Sequence, residues 1–217
     1  MNKRVFNLII VDESGSMSII RDQAFAGMNE TIETIITMQS EHKDIEQRVS
    51  LITFDSGHFK VHFDNVTADR AHRLDYASYN PCGATPLYDA IGKGISRVNA
   101  FTTPEDNVLV TIITDGLENC SKEYNLRMVK NLIEKLKKQN WTFAFIGTDN
   151  LDVEGMAHDM GIKDMLSFRQ TDEGTRAMFK EVSACRRRYM GRVELNEKMD
   201  EGSFFDKDLD KNEEFCD

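Results

Sequence analysis

The sequence predicts an α/β fold in which a doubly wound, mostly parallel central sheet carries one antiparallel edge strand and helices on both faces. Two runs rich in apolar, β-branched residues, 5–11 and 108–114, are typical of strands that are buried on both faces of a parallel sheet. Stretches with helical periodicity alternate with such strands over short connections, which favours parallel pairing. Phe59, Val61 and Phe63 alternate with polar residues, as expected of a half-buried edge strand.

The other elements of the first half follow from the same patterns. After the first strand, a helix is predicted over 18–40, because apolar residues recur there at helical spacing. A second strand is predicted at 49–54, and residues 65–84 form a polar, irregular stretch. A helix over 86–100 comes next, with a proline near its first position. The apolar face of that helix carries Leu87, Ile91, Ile95 and Val98.

The second half continues the alternation of helices and strands. An amphipathic helix is predicted over 122–139, followed by a strand over 141–147. A short helix over 153–160 leads to a weak strand at 165–168. The last helix is predicted over 173–191, and its buried stripe is Met178, Val182, Cys185 and Tyr189.

The composition of the chain changes near residue 194. Residues 194–217 hold ten Asp or Glu and three Lys, so most of the formal charge of −10 lies in this stretch. Such a segment has few residues with which to build a core. We therefore expect one domain over 1–193 and an acidic, mobile tail over 194–217.

Composition also narrows the classes of partner and the location. A net charge of −10 argues against nucleic-acid binding through a positive field. No apolar run approaches the roughly 18 residues that span a membrane, and the first run ends at Asp12 and Glu13 without a cleavage site. We therefore expect a cytoplasmic protein that binds neither nucleic acid nor membrane. Reduced thiols are expected as well, because no C-x-x-C pair occurs among Cys82, Cys120, Cys185 and Cys216.

Polar residues with oxygen donors follow both strongly apolar strands. Asp12, Ser14 and Ser16 come directly after the first strand, and Asp115 follows the strand at 108–114. Thr85 lies in a loop bounded by glycine and proline, just before a helix. In a doubly wound sheet the carboxyl ends of adjacent central strands open into one crevice. Hard oxygen donors of this kind suit Mg²⁺.

This arrangement resembles the metal-ion-dependent adhesion site (MIDAS) of the von Willebrand factor A (VWA) domain family. The motif of that family is Asp-x-Ser-x-Ser, then a distant Thr, then an Asp that is often followed by Gly. Asp12, Ser14, Ser16, Thr85 and Asp115 match all five positions in order. The resemblance covers roughly residues 4–191 and implies a Rossmann-like fold.

The resemblance also implies a function. In the family, the serine hydroxyls, and in one conformation the threonine, bind Mg²⁺ or Mn²⁺ directly, while the two Asp often act through water. One coordination position stays open for a carboxylate from a partner protein. This chain is accordingly expected to be a non-enzymatic, metal-dependent interaction module that binds an Asp or Glu of a protein partner. Many intracellular relatives work inside multiprotein assemblies, and the same is expected here.

Two other functions remain open at the level of the sequence. A Mg²⁺-dependent phosphotransfer enzyme would use Asp12 as its nucleophile, but such enzymes usually carry a second carboxylate where this chain has Ser14. A scaffold whose metal site is vestigial is the third possibility.

Several charged residues are expected to be solvated and to have no role in the site. Glu13 and Glu118 lie near the motif and are expected to be loop charges. The arginine cluster 186–188 is expected on the solvated face of the last helix. His58 and His62 are expected to be solvated residues of the edge strand, too far apart on a strand to form a metal pair.

Overall fold

The computed structural model describes residues 3–197 and 202–206. Within these residues, strands pair into a single sheet in the order β3-β2-β1-β4-β5-β6, and β3 is the antiparallel strand at one edge. The predicted fold class is confirmed. The strands are β1 (Lys3–Asp12), β2 (Ile45–Phe54), β3 (Phe59–Thr67), β4 (Asn107–Thr114), β5 (Trp141–Thr148) and β6 (Asp164–Phe168).

Helices cover both faces of the sheet. α1 and α5 pack on one face and α2, α3 and α4 on the other, so successive residues of β1 alternate between two hydrophobic cores. None of the helices in the described ranges has the length and apolar composition needed to cross a lipid bilayer. The helices are α1 (Arg21–Glu41), α2 (Leu87–Asn99), α3 (Leu126–Leu136), α4 (Val153–Asp159) and α5 (Asp172–Glu194).

Two predicted helix boundaries were wrong for a local reason. α3 begins at Leu126 rather than at residue 122, because Asn125 caps it by accepting a hydrogen bond from the amide of Met128. The first helix is divided: a 3₁₀ turn over Gly15–Ile20 precedes α1. That turn places Ser16 in the loop region rather than inside a regular α-helix.

The parallel register brings two loops to the same edge of the sheet. β1 and β4 are neighbours, and Val11 pairs with Ile113, so both chains leave the sheet side by side. The strands that follow β1 in sequence, β2 and β3, lie on one side of it, and β4 to β6 lie on the other side. The strand order therefore reverses between β1 and β4. Ligands bind at this switch point in open α/β sheets. The loops that start at Asp12 and Asp115 therefore face each other.

The last helix carries the predicted buried stripe, and its four residues are each 3% exposed or less. The expectation that the whole arginine cluster is solvated was wrong for Arg186, which is 0% exposed. Its guanidinium donates to Asn7 Oδ1 at 2.6 Å and to Thr111 Oγ1 at 2.9 Å. These polar side chains lie on β1 and β4 and give the guanidinium acceptors inside the core. Arg187, by contrast, is exposed.

Of the predicted tail, the structure describes residues 194–197 and 202–206, and α5 extends to Glu194. Phe204 is 1% exposed and packs against Tyr189 of α5, and its amide donates to Asp164 Oδ1 at 2.7 Å. The expectation that residues 194–217 add little to the core was therefore wrong at Phe204, whose ring covers apolar surface of α5. The mobility of the tail stays a prediction, and residues 198–201 and 207–217 lie outside the described residues.

The edge histidines differ from one another. His58 has a side chain that is 60% exposed, as expected. His62 is half-buried, and its Nε2 lies 2.8 Å from Thr53 Oγ1 on the neighbouring strand. The expectation of full solvation was thus wrong for His62, because its side chain packs across the β2–β3 pair.

Candidate metal centre

The Asp12 loop forms the base of the candidate centre. Asp12 is fully buried, and its two carboxylate oxygens accept hydrogen bonds from the amide of Ser14 at 2.7 Å and from the hydroxyl of Thr114 at 2.6 Å. The hydroxyl oxygens of Ser14 and Ser16 lie 3.2 Å apart. The turn after β1 thus gathers one carboxylate and two hydroxyls at the end of the strand.

Asp115 comes to the same place from the end of β4. It is 3% exposed, and its Oδ1 accepts a hydrogen bond of 2.6 Å from the Ser16 hydroxyl. Its Oδ2 accepts one of 2.5 Å from Nε2 of Gln170. Sequence reasoning did not select Gln170, which follows the weak edge strand β6. No spacing rule marks a single glutamine in such a loop.

Thr85 completes the set of five donors. Its backbone is held by Asn119, whose side-chain oxygen accepts from the Thr85 amide at 2.8 Å and whose own amide donates to the Thr85 carbonyl at 3.1 Å. A Cβ atom on Gly116 would lie 2.7 Å from Thr85 Oγ1 and 3.5 Å from Asp12 Oδ2. The Thr85 hydroxyl and the Asp12 carboxylate therefore border the same point, and only glycine leaves room between them.

The structure thus brings all five predicted side chains together. They come from the loops after β1 and β4 and from the loop before α2. That they hold a metal ion stays a prediction.

Glu13 has a structural role that the sequence did not reveal. It is 0% exposed, and its Oε1 accepts from Lys60 Nζ and from the amide of Asn80, both at 2.6 Å. The adjacent Tyr79 hydroxyl donates to the Asp12 carbonyl at 2.8 Å. The expectation of a solvated loop charge was therefore wrong, because Glu13 joins the Asp12 loop to β3 and to the loop before Thr85.

Glu118 was also expected to be solvated, but its carboxylate accepts several hydrogen bonds from backbone amides. Its Oε1 accepts from the amides of Cys120 and Ser121 at 2.9 and 2.7 Å, and its Oε2 accepts from the amide of Tyr88 at 2.9 Å. A carboxylate can satisfy several amides at once, so Glu118 fastens the loop after Asp115 to the start of α2.

The electrostatics of the centre favour a cation. Burial raises the pKa of Asp12 to about 6, and burial also raises the pKa of Asp115. Within the described residues, neither carboxylate forms an ion pair with a lysine, arginine or histidine; their hydrogen-bond donors are neutral. Two buried acids without a positive partner are costly unless a cation joins them.

The donor set also indicates which kind of cation fits. In the part of the chain that the structure describes, no three His, Cys, Asp or Glu side chains are arranged to hold a metal ion. A cation at this centre would therefore need the hydroxyls of Ser14, Ser16 and Thr85 besides its carboxylates. An all-oxygen set suits Mg²⁺ or Mn²⁺ better than a soft metal.

Large apolar side chains flank the centre on the surface. Ile19, in the 3₁₀ turn that also contains Ser16, is 67% exposed, and Leu117, two residues after Asp115, is 58% exposed. Each of these side chains lies within three residues of a predicted metal ligand and exposes apolar surface to solvent.

Comparisons with known proteins agree with the fold. The sequence model of the von Willebrand factor type A domain matches residues 8–181. No curated protein matches the chain.

Solved structures show the same architecture. The vWF domain of the type V pili tip protein Mfa5 from Porphyromonas gingivalis has a TM-score of 0.60 at 9% identity, with 93% of this chain and 98% of that chain covered. For the SpRpn10 VWA domain, the values are 0.53 at 13% identity, with 83% and 95% covered.

A third structure holds a metal. It is proximal thread matrix protein 1 from the mussel byssus with a zinc-occupied MIDAS motif, at a TM-score of 0.54 and 13% identity, with 83% of this chain and 45% of that chain covered. This chain therefore spans less than half of the mussel protein. At these identities, the likeness shows the fold alone.

Proposed function

This chain belongs to the von Willebrand factor type A domain family, a family of protein-interaction modules, and from that premise we propose that it binds its partner through a divalent cation. The cation, Mg²⁺ or Mn²⁺, would hold a carboxylate from an Asp or Glu of a protein partner. The ligands would be Asp12, Ser14, Ser16, Thr85 and Asp115. The observation that carries the proposal is a pair of buried carboxylates, with no counter-ion among the described residues, beside three hydroxyls.

The balance of charge explains why an external carboxylate would bind. Hydroxyl ligands are neutral, so a cation in this set meets fewer negative charges than it would in a site built of carboxylates alone. Of the proposed set, only Asp12 and Asp115 carry negative charge. A cation held in this way still attracts an acidic group from outside, and it tends to keep exchangeable waters that such a group can replace.

The surroundings of the centre favour a protein as the source of that carboxylate. Ile19 and Leu117 present apolar surface on the two loops that carry Ser16 and Asp115. A small acid would leave this surface in water, whereas an acidic residue on a folded partner would bring apolar neighbours to cover it.

We further propose that the module is not an enzyme and that it works in the cytoplasm as part of a multiprotein complex. Support for the first point comes from Asp12, whose two oxygens both accept hydrogen bonds, which makes it a poor nucleophile. Ser14 also stands where a phosphotransfer enzyme would need a second carboxylate. Support for the location is the cysteine pattern, in which no C-x-x-C pair occurs.

Calorimetric titration tests the metal site. The purified protein should bind Mg²⁺ and Mn²⁺ with one site per chain; Asp12→Asn should abolish the heat, and Asp115→Ala should weaken the binding. Asp44→Asn, at an exposed position between α1 and β2, is the matched control and should leave binding unchanged. Absence of binding by the wild-type protein would leave the scaffold with a vestigial site as the better explanation.

A second experiment tests the partner and the enzyme alternative. A protein captured with Mg²⁺ should be released by EDTA, should not bind the Asp12→Asn variant, and should lose binding when its own acidic residue is replaced. Ile19→Ser and Leu117→Ser should weaken that capture without changing the Mn²⁺ affinity. Hydrolysis of p-nitrophenyl phosphate by the wild type, lost in Asp12→Asn, would favour the enzyme instead.

A further inference from the structure

Gln170 connects the last helix to the candidate centre. It lies in the link 169–171 between β6 and α5, on the far side of β5 from Asp115. Its Nε2 lies 2.5 Å from Asp115 Oδ2 and 3.4 Å from the carbonyl oxygen of Ser16. Gln170 therefore contacts both of the loops that would surround the cation.

Hydrogen bonds and close contacts fix the backbone around Gln170, so the fold determines where its side-chain amide can lie. Thr171 caps α5 by accepting from the amide of Gly174 at 3.1 Å, and its carbonyl accepts from the amide of Thr175 at 2.8 Å. A Cβ atom on Gly174 would lie 2.3 Å from the carbonyl oxygen of Arg169, so the first turn of the helix sits close against the link.

The orientation of the amide follows from its neighbours. Asp115 Oδ2 and the Ser16 carbonyl are both acceptors, so the NH₂ end of Gln170 faces them. The hydrogens of that group carry partial positive charge. A cation would be repelled from Oδ2 by these hydrogens, which are fixed in the plane of the amide. Oδ1 also accepts a hydrogen bond, from the Ser16 hydroxyl at 2.6 Å, but a hydroxyl can rotate its hydrogen away and turn a lone pair toward a cation.

We infer that Gln170 is a positioning residue that keeps one oxygen of Asp115 from ligating the cation. The inference rests on the proposed function and deepens it. With Oδ2 held by Gln170, Asp115 contributes less negative charge to the ion, and one coordination position is left to water. That position is where the partner's carboxylate would bind, so Gln170 lowers affinity for the metal and raises affinity for the partner.

Gln170→Leu tests this directly, because leucine has a similar size and no donor. Asp115 should then turn its second oxygen to the ion and displace a water. Titration should show Mn²⁺ bound more tightly, on the order of tenfold, since an added carboxylate oxygen raises affinity. The relaxation of water protons by bound Mn²⁺, which reports the number of waters on the ion, should fall.

Two comparisons keep the test decisive. Gln139→Leu, at an exposed position after α3, is the matched control and should change neither the Mn²⁺ affinity nor the water relaxation. In an Asp115→Asn background, Gln170→Leu should have no effect on the affinity that remains. Gln170→Ala serves in place of the leucine variant if that variant does not fold.

Each of the remaining outcomes has a definite meaning. Unchanged affinity and relaxation in Gln170→Leu would overturn the inference, and so would weaker binding with unchanged relaxation, since both show that Gln170 does not orient Asp115. A tenfold increase in Mn²⁺ affinity that Gln170→Leu also causes in the Asp115→Asn background would overturn the inference as well. If the wild-type protein binds no Mn²⁺, the proposed function fails, and the inference fails with it.

Discussion

Two groups of buried charge contact the same pair of central strands, β1 and β4, and have opposite signs. At the carboxyl ends of β1 and β4, Asp12 and Asp115 form a negative centre. Five residues back along β1, roughly 17 Å away at the rise of a strand, Asn7 accepts a hydrogen bond from the buried Arg186. Within the described residues, neither the acids nor the arginine has an oppositely charged partner in contact.

The two groups differ in what completes them. Arg186 is enclosed by the fold and donates to the side chains of Asn7 and Thr111, so the protein supplies its acceptors. Burial lowers its pKa to about 10, which leaves it protonated at neutral pH. Asp12 and Asp115 lie instead at the carboxyl ends of β1 and β4, beside hydroxyls that can turn a lone pair outward. The buried charge of Arg186 therefore has a structural role, because the fold supplies its hydrogen-bond partners. The buried carboxylates at the carboxyl ends of β1 and β4 indicate a binding site instead.

The largest expected effect is on the side of the arginine. Arg186→Ala should lower the free energy of unfolding by about 4 kcal/mol, because it leaves a cavity and two buried acceptors without their donor. Arg186→Met should recover the part of this loss that comes from the cavity, because methionine fills the space but leaves Asn7 and Thr111 without the donor. Urea unfolding measures both variants.

The exposed Arg187 provides the matched control for that series. Arg187→Ala should change the free energy of unfolding by no more than about 0.5 kcal/mol. Mn²⁺ affinity in Arg186→Met should equal that of the wild type. A stability loss in Arg186→Ala as small as that of the control would show that the arginine does not hold α5 to the sheet.

A smaller effect is expected from the acceptor on β4. Thr111→Val keeps the shape of the side chain but removes the hydroxyl that lies 2.9 Å from Arg186. The free energy of unfolding should fall by about 1–2 kcal/mol, the penalty for a buried donor that is left without a partner. Thr111→Ser retains the hydroxyl and should lie closer to the wild type. If Thr111→Ser is less stable than Thr111→Val, packing of the side chain rather than its hydrogen bond determines the stability at residue 111.

The smallest expected effect has the opposite sign and concerns the acids. The pKa of Asp12 is raised by burial to about 6 in the folded state, so the folded metal-free protein binds a proton that the unfolded chain, near pH 5, does not. Stability from this group therefore increases as the pH falls from 7 to 5, by about 1 kcal/mol. Urea unfolding in EDTA at the two pH values measures it.

The comparison that isolates this effect is Asp12→Asn, which cannot take up the proton. His62 has a pKa lowered by burial and works in the opposite direction over the same range, so the wild type alone is not sufficient. The unfolding free energy of the wild type minus that of the variant should rise by about 1 kcal/mol from pH 7 to pH 5, because only the wild type takes up the proton. If the difference in unfolding free energy does not change with pH, burial does not raise the pKa of Asp12 in the metal-free protein.

The arginine cluster shows where reasoning from local patterns failed. Three consecutive arginines on a helix look like a solvated face, and Arg187 fits that expectation. The burial of Arg186 depends on Asn7, 179 residues earlier, and on Thr111, 75 residues earlier. The sequence did hold one signal, because Asn7 and Thr111 are polar residues in strands that are otherwise apolar. Buried polar side chains need a hydrogen-bond partner inside the core.

The sequence alone determined some features of these two regions, and only the tertiary structure decided the others. The doubly wound, mostly parallel sheet and the placement of Asp12, Ser14, Ser16, Thr85 and Asp115 around one crevice could be predicted, because apolar runs mark buried parallel strands and such strands deliver the loops that follow them to one end of the sheet. Gln170, Glu13 and Arg186 could not be placed in this way. Their roles come from partners remote in the chain, and burial and hydrogen bonding between remote segments are set only when the helices and loops pack on the sheet.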